Sequence, residues 1–258
     1  MTTHPLAQRP VCESVTLYSF PKCGRTWLRY IFLHLYDQHL AAEHFVDLAD
    51  PRLKIVLVRN ILDAMVSYYF QVKHRGGFVA AADRKKELLD GWHTSDKSMR
   101  SFVRSGVADD FLNFYDECAR LTGERILVRY EDLQSDTVGT VTRIAARLAP
   151  LLGREPSASE IDAAVSACTF ESMRALEVSG QGIPGVQHMG TWLPNLTPGS
   201  LDNPASYKTR EGKVGGYTAH LSQDDVRYLA DVAQRRDTYR SFYPDVVQDA
   251  RGAGVTGS

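Results

Sequence analysis

Hydrophobic and polar positions along the chain change period several times. Val15-Thr16-Leu17-Tyr18-Ser19-Phe20 is rich in β-branched and aromatic residues and reads as a short strand. Pro21 ends it, and Gly24 permits a tight turn. From Thr26 to His39 the apolar positions Trp27, Leu28, Ile31, Phe32, Leu35 and Tyr36 recur at helical spacing. Lys54 to Val58 is a continuous apolar run after a charged start, the pattern of a strand buried on both faces of a parallel sheet. Asn60 then has the position of a helix N-cap, with Asp63 supplying negative charge to the first turn. Ile61, Met65, Tyr68, Tyr69 and Val72 form one apolar stripe, and Asp63 and Ser67 fall on the opposite face. Residues 83–122 read as mainly helical, Arg125 to Arg129 as a strand, and the stretch behind Glu131-Asp132 as a helix through Leu148. Ser159-x-x-Asp162 and Ser222-x-x-Asp225 resemble capping boxes with Asp in the usual Glu position, and predict helices over 160–167 and 223–236.

Strands alternating with helices predict an α/β fold: a single domain over 14–245 with a central parallel sheet flanked by helices. Residues 1–13 and 246–258 are expected to be flexible tails. The segment from Ser179 to Pro204 is punctuated by Gly and Pro throughout, and a loop this long is usually functional or disordered. With 258 residues, 43% of them hydrophobic, the chain can build one sizeable core. Its formal net charge of −1 argues against a nucleic-acid ligand, so a bound anion must be held by a few placed residues. Cys12, Cys23, Cys118 and Cys168 form no CxxC pair and no Cys/His cluster with zinc spacing. Free thiols, a polar start without an apolar leader, and no apolar run near the ~20 residues of a membrane span predict a cytoplasmic protein with no membrane partner and no metal.

Three segments carry candidate chemistry. In Tyr18-Ser-Phe-Pro-Lys-Cys-Gly-Arg-Thr-Trp-Leu28 a strand runs into a turn that opens a helix. Helix N-termini present unpaired N–H groups and partial positive charge to anions. Lys22 adds a full charge, Gly24 lets the backbone approach closely, and Thr26 adds a hydroxyl donor. GxxxxGK[ST] is absent, and the Lys precedes the Gly, so this is not the usual ATP-binding loop. Read alone, it also fits a plain strand–helix turn. Arg59-Asn60 ends the Lys54–Val58 strand, and ligands of parallel α/β sheets gather at the carboxyl ends of strands. Arg59 can grip a phosphate with two hydrogen bonds, and Ser67 lies off the apolar stripe; alone, both also fit a solvated surface. Tyr207-Lys-Thr-Arg-Glu-Gly-Lys-Val-Gly-Gly-Tyr217 can close cations over an anion or form a solvated basic loop.

Together these segments resemble the sulfotransferase family that uses 3′-phosphoadenosine-5′-phosphosulfate (PAPS), in its cytosolic and bacterial small-molecule branch. Pro21-Lys-Cys-Gly-Arg-Thr-Trp27 is similar to the family's 5′-phosphosulfate loop, PKSGTTW, and Val58-Arg-Asn-Ile-Leu-Asp-Ala-Met-Val-Ser67 to its RNPKDxxVS motif. Arg129-Tyr-Glu-Asp-Leu133 resembles RYEDM, Thr169-Phe-Glu-Ser-Met173 resembles SFDVM, and Arg210-Glu-Gly-Lys-Val-Gly-Gly-Tyr217 resembles RKGxxGDW. The resemblance implies a P-loop-like strand–loop–helix. Lys22 would bind the 5′-phosphate and stabilise the bridging oxygen. Cys23, Gly24, Arg25, Thr26 and Trp27 would contact the phosphosulfate and, through Trp27, the adenine. Arg59 and Ser67 would hold the 3′-phosphate with Arg210 and the Gly212 backbone, while Tyr130, Phe170 and Met173 line the adenine pocket. Departures are Cys23 for Ser, Ile61-Leu62 for Pro-Lys, Glu211 for Lys, and Gly-Gly-Tyr for GDW. Glu211 would repel phosphate unless it points away. The family's dimer motif KxxxTVxxxE has no match.

The family's catalytic histidine follows a Lys-Thr pair that is missing here. Of His34, His39 and His44, the last precedes a short apolar stretch and is the expected base, with His74 and His188 in reserve. The expected function is sulfuryl transfer from PAPS to a hydroxyl of a small-molecule acceptor, a phenol, alcohol or sugar. Phe20, Phe70, Phe78, Trp92 and Trp192 are candidates for an apolar acceptor wall. The competing readings are a P-loop nucleotide or small-molecule kinase, which needs a Walker-type loop and Mg²⁺ ligands, and an inactive nucleotide-binding protein.

Overall fold

The computed structural model describes residues 5–43, 45–75, 92, 96–184, 187–188 and 191–244. In chain order its main helices are α1 (Arg25–Tyr36), α2 (Ile61–Arg75), α3 (Ala108–Ala119), α4 (Tyr130–Ser135), α5 (Thr137–Leu152), α6 (Ala158–Ala167), α7 (Phe170–Val178), α8 (Gln223–Gln234) and α9 (Asp237–Phe242). Its main strands are β1 (Val11–Ser19), β2 (His39–Glu43), β3 (Leu53–Val58) and β4 (Arg125–Arg129). The chain divides into two compact units. The first takes Met1–Val58 and Leu121–Gly212, the second Arg59–Arg120 and Lys213–Ser258.

The first unit holds a four-stranded parallel sheet in the order β2-β1-β3-β4. β1 and β3 are its central strands, and Leu17, Tyr18, Ile55 and Leu57 are fully buried in them. That explains their unbroken apolar pattern, since a parallel strand has no wet face. Strand order reverses between β2 and β3 around β1, so the loop leaving β1 emerges at the topological switch point where such sheets bind ligands.

α1 ends earlier than its apolar pattern suggests. Asp37 adopts the left-handed conformation (φ 54°), and its N–H closes the last turn on the Leu33 carbonyl at 2.9 Å. His39 therefore opens β2 instead of closing the helix. Its sequence, His-Leu-Ala-Ala-Glu, has no β-branched residue to announce a strand. Arg29 ties the two together, donating from Nε to the Leu40 carbonyl at 2.7 Å and from Nη2 to the Trp192 carbonyl at 2.5 Å.

The helix expected behind Glu131-Asp132 is two helices, because Asp136 stops α4 and caps α5, accepting from the Gly139 N–H at 2.9 Å. The capping box of α6 sits at Ser157 and Glu160, two residues before Ser159 and Asp162. Glu160 is long enough to reach back to the Ser157 N–H, at 2.7 Å. Ser222 caps α8 where expected, accepting from the Asp225 N–H at 3.2 Å.

After α7 the Gly/Pro-rich segment is pinned at both sides. The Ile183 N–H donates to the Tyr30 hydroxyl oxygen at 2.7 Å, and the Leu196 N–H to the Ile183 carbonyl at 2.9 Å. Ile183, Leu196 and Tyr30 are all buried.

In the second unit Asn60 starts α2 as expected, accepting from the Leu62 N–H at 2.9 Å. Asp63 is not on a solvated face: it is 4% exposed and belongs to the interior. Tyr68, Tyr69, Trp92 and Phe102 pack edge to face, with ring centroids 5.5–6.0 Å apart. The Tyr239 hydroxyl donates to the Arg59 carbonyl at 3.1 Å and accepts from the Ile61 N–H at 2.6 Å, fixing the start of α2.

Candidate functional site

The loop from β1 into α1 is built for close approach. Lys22 (φ 71°) and Gly24 (φ 94°), on either side of the buried Cys23, both have left-handed backbones. Only glycine takes that conformation freely, so holding Lys22 there stores strain of the kind that accompanies function. Gly24 caps α1 without any side-chain hydrogen bond, and its carbonyl accepts from Leu28 at 3.1 Å. A Cβ on Gly24 would lie 2.7 Å from the Tyr130 ring. The bare backbone at position 24 is therefore required by the ring beside it as well as by its φ. Arg25, Thr26 and Trp27 form the first turn of the helix and are all half-buried, as is Lys22.

Aromatic residues stand next to this loop. Tyr130, the first residue after β4, meets the Trp27 ring edge-on at 6.1 Å, and Trp27 donates from Nε1 to the Cys168 carbonyl at 2.7 Å. Two residues later, Phe170 opens α7 and keeps 37% of its surface exposed, whereas Met173 is buried. Gly212, at φ 62°, lies so close to Phe170 that a Cβ would fall 2.4 Å from the ring. The first unit thus brings together Gly24, Trp27 and Tyr130, and separately Phe170 and Gly212. In the same unit the Glu211 carboxylate forms an ion pair with the guanidinium of neighbouring Arg210.

The second unit holds Arg59 and Ser67. Arg59 is buried and donates from Nη2 to the Lys213 carbonyl at 3.3 Å; Ser67 is half-buried further along α2. Asp63 accepts from the Gly215 N–H at 2.7 Å and the Tyr217 N–H at 3.0 Å. Phe70 stacks on His74 with centroids 5.9 Å apart and meets His220 edge-on at 5.1 Å. Burial, and then the neighbouring Lys73 charge, holds His74 below the ordinary histidine range. His44 and Phe78 lie outside the described residues, and so does the side chain of His188. Phe20 and Trp92 are interior packing residues, at 0% and 2% exposure, so neither offers a ring face to an acceptor; Trp192 is exposed. Among the described residues no group of three or more His, Cys, Asp or Glu is arranged to hold a metal ion. No helix among them is long and apolar enough to cross a membrane. All four cysteines are buried free thiols.

The family model described as Sulfotransferase domain matches residues 33–240. The chain belongs to the sulfotransferase family. Members of this family draw their sulfuryl group from PAPS. The matched span begins downstream of the Lys22–Trp27 loop. Among curated relatives of this sulfotransferase, cytosolic sulfotransferase 3 of Arabidopsis thaliana is 21% identical over 232 residues, covering 74% of each chain. The mouse sulfotransferase SULT7A1, solved with 3′-phosphoadenosine-5′-phosphate (PAP), has the same fold: TM-score 0.62 at 13% identity over 96% of this chain and 91% of its own. Retinol dehydratase, solved with androsterone and the inactive cofactor PAP, gives 0.55 at 12% identity over 90% and 82%. The α/β class and the central parallel sheet read from the sequence are those of this sulfotransferase.

The interactions of three residues of this sulfotransferase, Asp63, Glu177 and Tyr239, were not foreseen from its sequence. Asp63 stands in the RNxxD pattern, but reading it as first-turn charge gave no hint that it binds backbone. Nothing in the sequence marks Glu177, whose partners are the Lys208 and Thr209 N–H groups and the Thr209 hydroxyl, or Tyr239, whose partners are backbone groups of Arg59 and Ile61, because these lie far away along the chain.

Proposed function

We propose that this sulfotransferase transfers a sulfuryl group from PAPS to a hydroxyl of a small-molecule acceptor, giving a sulfate ester and PAP. The observation that carries the reading is the Lys22–Gly24 turn, with its two left-handed residues at the N-terminus of α1 and the Trp27–Tyr130 ring pair beside it. Such a turn suits a phosphosulfate next to an adenine. PAPS supplies an activated sulfuryl group whose leaving oxygen gains negative charge. Lys22 and the α1 N-terminus neutralise that charge, while Cys23, Gly24, Arg25 and Thr26 hold the 5′ end. Trp27, Tyr130, Phe170 and Met173 take the adenine. Arg59, Ser67, Arg210 and the Gly212 backbone take the 3′-phosphate. His44 receives the proton of the acceptor hydroxyl as the new S–O bond forms. Catalysis of this kind is mainly positioning and charge stabilisation.

A phenol or other partly apolar alcohol is the proposed acceptor class, on the support of Phe70 with His74 and His220 around it. Four buried thiols and the likeness to a relative named cytosolic support a cytoplasmic location.

The test is turnover with PAPS and a phenol panel, joined to calorimetry with PAP and AMP. PAP is expected to bind at least about tenfold tighter than AMP, since one buried charge-assisted contact supplies that much. Equal affinity for the two nucleotides, or no sulfate ester from any phenol or alcohol, sinks the reading.

A further inference from the structure

Glu177 is a carboxylate with 0% exposure, and the chemistry described so far does not use it. It accepts from the Lys208 N–H at 2.8 Å, from the Thr209 N–H at 3.0 Å and from the Thr209 hydroxyl at 2.6 Å. A buried carboxylate is stable only when its oxygens are bonded, and charge-assisted bonds of this kind are the strong ones. Lys208 and Thr209 are the two residues before Arg210. The same helix holds this segment at two further points. Arg174 donates to the Thr209 carbonyl at 2.5 Å and lies 4.5 Å above the Tyr207 ring. The Phe170 ring backs Gly212. Phe170, Arg174 and Glu177 are spaced i, i+4, i+7 and so share one face of α7. That face grips the segment before Arg210, at Tyr207, Lys208 and Thr209, and after it, at Gly212.

We propose that Glu177 is a positioning residue that sets Arg210 for the 3′-phosphate of the donor, acting through the Lys208–Thr209 backbone. The proposal rests on the assignment of Arg210 made under Proposed function. Gln at 177 keeps the size of the side chain but loses the charge, and its amide NH₂ faces donors that need an acceptor. The backbone leading into Arg210 then loosens while the Lys22 loop keeps its own anchors.

Calorimetry of the full chain with PAP and with AMP tests this on the wild type, Glu177→Gln, Thr209→Val, Arg210→Ala and the double variant Glu177→Gln/Arg210→Ala. Glu177→Gln is expected to weaken PAP about tenfold, the size of a lost hydrogen bond to a charged group, and to leave AMP unchanged. In the Arg210→Ala background the same substitution should have no further effect on PAP. Thr209→Val, which deletes one of the three bonds, should weaken PAP about 2–3-fold and guards against a Glu177→Gln chain that does not fold. The proposal is overturned if the Glu177 and Thr209 variants weaken PAP and AMP equally, or if the Glu177 effect adds in full to Arg210→Ala. A wild type that fails to separate PAP from AMP has a different signature: it overturns the cofactor assignment, and this proposal with it.

Discussion

Lys22 combines a charge proposed to act on the leaving oxygen with an unfavourable backbone, and substitutions can separate the two. Lys22→Ala removes the charge and keeps the left-handed strain, about 1–2 kcal/mol for a residue with a Cβ. Its turnover should fall about 10²-fold or more, beyond its loss of PAPS affinity, because the leaving oxygen carries more charge in the transition state than in bound PAPS. Lys22→Gly should lose turnover equally but melt no lower than Lys22→Ala, since glycine accepts φ 71° without a clash. Thermal melts in which the Gly variant unfolds several degrees below the Ala variant would show that position 22 is unstrained. Glu211 offers a second test. Its carboxylate pairs with Arg210, so it competes with any phosphate for that guanidinium. Glu211→Gln should raise PAP affinity about 2–5-fold, the range of a partly exposed ion pair. Unchanged or weaker binding removes the competition argument. Lys22, Gly24 and Trp27 were singled out in the sequence because their segment stands with four further motifs in the family's order; the strand–turn–helix alone also fits a plain turn. The bonds of Glu177 and Asp63 were not legible, because a carboxylate that binds distant backbone carries no local pattern.

Strands buried on both faces and helices with strong stripes were readable to within a few residues. β2 was not, because alanines carry no strand preference and the break before it depends on one left-handed Asp37. The Gly/Pro-rich segment also differs from its composition. Two of its residues are fastened, Ile183 to the Tyr30 hydroxyl and Leu196 to the Ile183 carbonyl. Amide exchange at Ile183 and Leu196 should be slow in the ligand-free chain and little changed by PAP. Tyr30→Phe removes the acceptor of the Ile183 N–H and should speed exchange there about tenfold. Fast exchange at Ile183 in the wild type would show that the anchor does not hold.

For the whole molecule, the alternation of elements was enough to name the α/β class and a parallel sheet, and the motif order was enough to name the family. The division into two units was not legible, because neither unit is a continuous stretch of sequence. The chain passes between them after Val58, Arg120 and Gly212. Two of these passages touch residues proposed to hold the 3′-phosphate: Arg59 opens a stretch of the second unit, and Gly212 closes one of the first. This interleaving constrains how such enzymes can be recombined. A single genetic crossover cannot exchange one unit for that of a relative; a clean transplant needs three junctions. Two of the junctions would cut beside residues proposed to bind the donor. Acceptor preference in this chain is therefore better altered by point substitution around Phe70, the proposed acceptor wall, than by swapping blocks of sequence.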